Sequence, residues 1–132
     1  MQNNADQTQT PPSPLDMKRE IINIFGILLH NLWGHLEGVI GIPTTLLIFQ
    51  SALRETLAAY PFLENVIVQD DGVNINMSDP ELDSVDWHTL RDGLLAFIDA
   101  GFDLLTNLTG GILNHRFEPD VAEFKHKIEI LN

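Results

Sequence analysis

Residues 25–43, FGILLHNLWGHLEGVIGIP, hold His30, His35 and Glu37 in otherwise apolar or small surroundings. Imidazole and carboxylate side chains can ligate a metal, move a proton or, at histidine, accept a phosphoryl group. Helical spacing argues against the metal. A five-residue step swings His30 and His35 about 140° apart around a helix, and His30 and Glu37 share a face but lie roughly 10 Å apart along the axis. Neither pair chelates one ion as an i, i+4 pair does. A site completed by His88, His115 or His126 would have to be assembled by tertiary folding. No metal and no cofactor are therefore expected.

The run HNLWGHLEGVIG resembles the H-x-L-K-G motif of histidine phosphotransfer domains, with His30, Leu32 and Gly34 at the matching positions. The resemblance implies His30 as phosphoryl acceptor, a glycine that leaves room for a docking response regulator, and a helical bundle without a hairpin. Trp33 stands where that family has the lysine that helps hold the phosphate. The resemblance covers about a dozen residues.

Other chemistries have less to stand on. Residues 55–87 carry eight acids, Glu55, Glu64, Asp70, Asp71, Asp79, Glu81, Asp83 and Asp86, and no lysine or arginine. A calcium loop of the EF-hand type would need an apolar residue at its eighth position. Counting back from Gly72 as the sixth places Ile67 first and Asn74 eighth, so the pattern fails. Turn and helix-cap roles account for these acids instead. The serines, Ser13, Ser51, Ser78 and Ser84, sit in no nucleophile elbow, and TGGILN lacks the lysine and spacing of a phosphate loop. No enzyme is expected.

The bulk numbers narrow the partners. The 132 residues are one domain's worth, and 44% hydrophobic with 20% charged residues is ordinary globular composition. Nineteen acids against seven bases give a net charge of −12, which disfavours nucleic acid and anionic membrane surfaces. With no cysteine, disulfides, thiolate catalysis and cysteine-bound metals are excluded. From Ile21 to Phe49 only Glu37 is charged, yet Asn23, His30, Asn31 and His35 are spread through the run and Pro43 divides it, so no stable membrane insertion is expected. The start MQNNADQTQTPPSPLD lacks basic and apolar signal regions, and a cytoplasmic location is expected by default.

The elements that must position these residues follow from periodicity. Residues 1–13 read as a disordered tail, and 14–132 as one domain. Residues 15–41 show helical recurrence; Asn23, Gly26, His30, Gly34, Glu37 and Gly41 fall on one stripe, with apolar residues nearly all round the rest. That stripe is either a narrow solvent face or a place where glycines admit another backbone. A second helix runs from Pro43 to Tyr60 with Leu46, Phe49, Leu53, Leu57 and Tyr60 in line. At 65–76 the period changes: β-branched runs flank Asp70-Asp71-Gly72, a hairpin signal. Asp79-Pro80 reads as a cap and first helical residue, and a long helix over about 84–109 carries Trp87, Leu90, Leu94, Phe97, Gly101, Leu104 and Leu108 before Gly110-Gly111 stops it. From Pro119, Val121, Phe124, Ile128 and Leu131 share a helical face, although HKIEIL also alternates as a strand does.

The expected fold is therefore α+β: three to four helices with one hairpin between the second and the long third. An isolated hairpin is marginal in water, so it packs on a helix or pairs with another copy. The seven-residue recurrence adds to that argument for a homodimer, with Trp87, Leu90, Leu94, Phe97, Leu104, Val66 and Val68 as its interface. The functional expectation is a non-enzymatic cytoplasmic interaction or signalling module, partnered by itself and by a signalling protein. The first alternative is a small-molecule or cofactor sensor whose pocket lies between the first and third helices, lined by His30, Trp33, Glu37 and Trp87. The second is phosphotransfer at His30.

Overall fold

A computed structural model describes residues 13–131. The tail expected at 1–13 lies outside the described residues except for Ser13, which caps the first helix. Element order is α1 (Pro14–Ile40), α2 (Ile42–Leu57), a 3-10 turn (Pro61–Asn65), β1 (Val66–Gln69), β2 (Gly72–Ile75), α3 (Asp79–Ser84), α4 (Trp87–Thr109) and α5 (Asn114–Leu131). The expected class holds: a mostly helical α+β chain with an antiparallel hairpin between the second helix and the long one.

Three helix starts carry side-chain caps. Ser13 Oγ accepts from the Asp16 amide at 3.1 Å while Asp16 Oδ2 accepts from the Ser13 amide at 3.4 Å, a reciprocal cap with Pro14 behind it. Ser78 and Glu81 repeat the device on α3, so the cap is Ser78, one residue before the expected Asp79. Asp86 Oδ2 accepts from the amides of His88 and Thr89 and starts α4 afresh. The stretch 79–109 is thus two helices broken at Val85 and Asp86. Between α1 and α2 a single residue, Gly41, turns the chain at φ 84°, a backbone that side chains resist. Thr45, fully buried, donates its hydroxyl back to the Gly41 carbonyl at 2.7 Å and holds the elbow.

Four of the helices form an up-and-down bundle. Phe25 meets Phe97, and Leu36 shares a void with Leu105, so α1 and α4 run the same way. Gly93 lies against Tyr60 and Phe62 and Gly101 near Ile48 and Ala52, so α2 runs opposite to α4. Phe124 meets Phe25 and Phe117 meets His35, so α5 runs opposite to α1. One series of rings ties the four together: Phe124 of α5, Phe25 of α1, Phe97 of α4, Phe49 of α2 and Trp33 of α1, with successive centroids 5.7–6.2 Å apart. Such ring pairs add about 0.5–1.5 kcal/mol each beyond their burial.

The hairpin and α3 pack beside this bundle. β1 and β2 pair Val66 with Ile75, Ile67 with Asn74, Val68 with Val73 and Gln69 with Gly72. Val66 and Val73 are buried, while Ile67 and Asn74 face out. Asp70 and Asp71 form the turn as expected, but the positive φ falls on Gly72 at 149° and on no other residue of the turn. α3 is fastened to the start of α1: the buried Lys18 donates from Nζ to the Asp83 carbonyl at 3.2 Å, and Arg19 grips Asp79 through Nε (3.1 Å) and Nη2 (2.7 Å).

The structure also corrects the last element. α5 begins at Asn114, five residues before Pro119, and residues 119–131 are helix throughout. Phe117, 1% exposed between His35 and Phe102, supplies the reason: docking that ring fixes the first turn, and Pro119 continues it at the loss of one amide donor.

Candidate functional site

The expected ligand residues do not converge. His30 and Glu37 lie on the solvent side of α1. Trp33 is buried with its ring on Phe49, and Trp87, half-buried, starts α4 at the far end from the level at which Trp33 packs. Between the first and long helices there is a void of about 20 Å³ lined by Leu32, Leu36, Phe49, Phe97, Gly101 and Leu105 among others. It has the size of a single water and an apolar lining, against ~300 Å³ or more for an ordinary small-molecule site. Trp33 is core packing: its burial completes the ring series on the side of α1 away from the exposed His30.

The residues of the expected subunit seam are largely buried within one chain. Leu90, Leu94, Phe97 and Val66 are 0–4% exposed within one chain, and Trp87, Leu104 and Val68 are half-buried. An amphipathic stripe is satisfied equally by a neighbour in the same chain or by a second copy, and periodicity does not distinguish them. The glycine stripe of α1 resolves as solvent face: a methyl group placed on Gly26, Gly34 or Gly38 would meet nothing within 4 Å.

What the molecule presents instead are two surfaces that periodicity did not show. The first is one end of the bundle, where α1 finishes, α2 begins and α4 turns into α5. Val39 (47% exposed), Ile42, Leu47, Leu108 and Ile112 (76%) stand in water there. The sequence carried a signal for it: residues 38–53 and 104–114 contain no charged side chain in a chain of net charge −12. The Gly110-Gly111 turn is followed by Ile-Leu, where polar loop residues are usual. The second surface is an open groove of about 380 Å³ between α1 and β2, walled by Ile22, Asn23, Gly26, Ile27, His30, Asn74 and Ile75.

Charge is concentrated toward the other end. There the Arg19 hydrogen bonds hold the Asp79 carboxyl below the usual carboxylate range and raise the guanidinium, while Ser78, donating from its amide and its hydroxyl, lowers Glu81. These are capping and fastening interactions. Among the described residues no three of His, Asp and Glu gather into a metal-ligating group, and no helix is long and apolar enough to cross a membrane. Comparison of the chain with known protein families, with curated proteins and with solved structures finds no match to any of them. The fold and the two surfaces are therefore what the functional argument rests on.

Proposed function

We propose that this chain is a cytoplasmic, non-enzymatic interaction module that works as a homodimer joined through its apolar end. The observation that carries this is the exposure of Val39, Ile42, Leu47, Leu108 and Ile112 at one end of the bundle, on segments 38–53 and 104–114 that hold no charged side chain in an acidic molecule. Soluble monomers rarely leave so many large apolar side chains together in water. End-to-end association buries them and keeps the two sets of acids as far apart as the fold permits, which limits repulsion. Ligand sensing has less support, since the space between the first and long helices holds no more than a water. Sedimentation equilibrium across micromolar to submillimolar protein tests the proposal. Wild type is expected to be dimeric, and the double variant Leu108→Glu/Ile112→Glu monomeric with an unchanged circular dichroism spectrum. A wild type that stays monomeric at the top of the range overturns it.

A second reading, phosphotransfer at His30, is favoured by one observation. The His30 side chain is exposed midway along a bundle helix, one turn from Gly34, which has open space before it. Against it, Trp33 at the lysine position of the resemblance is buried. Acid-labile phosphate on His30, absent from His30→Ala, is the expected result if this reading holds.

A further inference from the structure

The edge of β2 is a template without a strand on it. The Asn76 amide donates to the Asn65 carbonyl at 3.1 Å, so residues 65 and 76 face each other as a hydrogen-bonded pair. Pairs alternate along an antiparallel ladder; hence 67/74 and 69/72 bond across the hairpin, while the N–H and C=O groups of residues 66, 68, 73 and 75 point outward. On the β1 side the Val66 amide is taken by the Leu63 carbonyl. On the β2 side, among the described residues, no backbone hydrogen bond from another element reaches Val73 or Ile75.

The groove of about 380 Å³ runs beside this edge. An added strand lies about 4.8 Å from its neighbour, and Gly26, with nothing within 4 Å of its missing side chain, leaves the opposite wall low. Natural edges are commonly blunted by lysine, proline or a bulge. Residues 72–77, GVNINM, carry no charge and no proline.

We infer that the groove docks an extended, cationic segment of a partner protein, which adds to β2 as a third strand. The backbone groups of Val73 and Ile75 select an extended chain, because only a strand supplies donors and acceptors at their spacing. Charge selects its flanks. Both walls belong to residues 20–90, which hold ten acids and one base, Arg54, whose guanidinium bonds Ser51. Just before this stretch, Arg19 is engaged by Asp16 and Asp79, and the buried Lys18 by the Asp83 carbonyl. Asp70 and Asp71 mark the hairpin end of β2, and the Asp79–Asp83 segment follows its other end. A second copy paired through β2 would bring these acidic ends together, and like charges across strands repel.

The probe is a fluorescent peptide of three Val-Thr repeats between paired lysines, titrated into the full chain. Saturable binding is expected, with slowed amide exchange at Val73 and Ile75. Replacing the lysines by glutamate, N-methylating alternate peptide amides, or the protein variant Gly26→Phe should each weaken binding by about tenfold or more. Gly26 has open space before it, so Gly26→Phe is expected to keep the wild-type circular dichroism and melting temperature. No saturable binding overturns the inference, as does binding that Gly26→Phe leaves unchanged. Protection of Val73 and Ile75 that rises with protein concentration alone, without peptide, also overturns it and gives the edge to a second copy. Sedimentation of the Leu108→Glu/Ile112→Glu variant reads the other end of the molecule, so either proposal can fail while the other stands.

Discussion

α1 and α4 are built from the same materials and treat them oppositely. Both are long, largely apolar and interrupted by glycine. In α4 the glycines are where neighbours come close: a methyl group on Gly93 would lie 2.5 Å from Phe62 Cε2 and 3.1 Å from Tyr60 Cδ1, and one on Gly101 would be 4.0 Å from Ala52 Cβ. In α1, Gly26, Gly34 and Gly38 look onto open space. An interior glycine costs a helix roughly 0.5–1 kcal/mol relative to alanine. α4 offsets that cost by letting the 3-10 turn pack onto it, whereas among the described residues nothing packs onto these glycines in α1. The same residue type marks an internal contact in one helix and an unfilled outer face in the other.

Substitutions can break or sharpen this contrast. The largest effect is expected on the ring series. Phe97→Ala removes the side chain that meets both Phe25 and Phe49 and should lower unfolding free energy by about 3–5 kcal/mol in urea titration. Ile27→Ala, on the outer side of α1 at 56% exposure, should change it by less than about 0.5 kcal/mol. Next comes Gly93→Ala, which pushes a methyl group into the Phe62 ring and should destabilise by about 1–3 kcal/mol.

Gly34→Ala carries the opposite sign: with no neighbour to displace, it should stabilise by about 0.5–1 kcal/mol through helix propensity alone. A loss on Gly34→Ala would mean that something in the chain does approach α1, and the contrast would fall.

The smallest effect concerns how the two helices are started. α4 is capped by its own Asp86, while α1 is fastened to α3 through Arg19 and Asp79. The Asp79 carboxyl is held below its ordinary value by Arg19, and Glu81 by Ser78. Groups lowered on folding stabilise above the unfolded carboxylate pKa, near 4, and lose that contribution as pH falls through the lowered values. Asp79→Asn should therefore melt slightly below wild type at neutral pH, and the gap should close on acidification toward about pH 3. Both groups are exposed, so the shift is small. A gap that persists at low pH would assign Asp79 a role other than its charge.

Local chemistry was legible wherever a single residue's geometry decides. Pro43 in the first turn of α2, Asp70-Asp71 at the hairpin tip and Gly110 ending α4 at φ 68° stand where the sequence put them. Pro119 misled, because proline is tolerated in an early turn when a neighbour such as Phe117 is anchored. The candidate surfaces were harder to read. Leu90, Leu94 and Phe97 are buried within one chain, which periodicity did not reveal, because it shows that a face is buried and is silent on what buries it. Ile112 and Leu108 broke no periodic rule, and only the packing of the bundle brought the end of α4 to the same end of the molecule as Val39 and Ile42.

By itself, the sequence determined the first two helices, the hairpin and the long helix in their order, the acidic charge and the absence of cysteine chemistry, since these depend on residues a few positions apart or on composition. The tertiary structure alone decided which apolar stripe was consumed inside the chain, that Trp33 turns inward while His30 stays in water, and that β2 overlooks an open groove. Those outcomes depend on which surfaces compete for one another in three dimensions. Burial is set by that competition, while the one-dimensional pattern records only that a residue is suited to it.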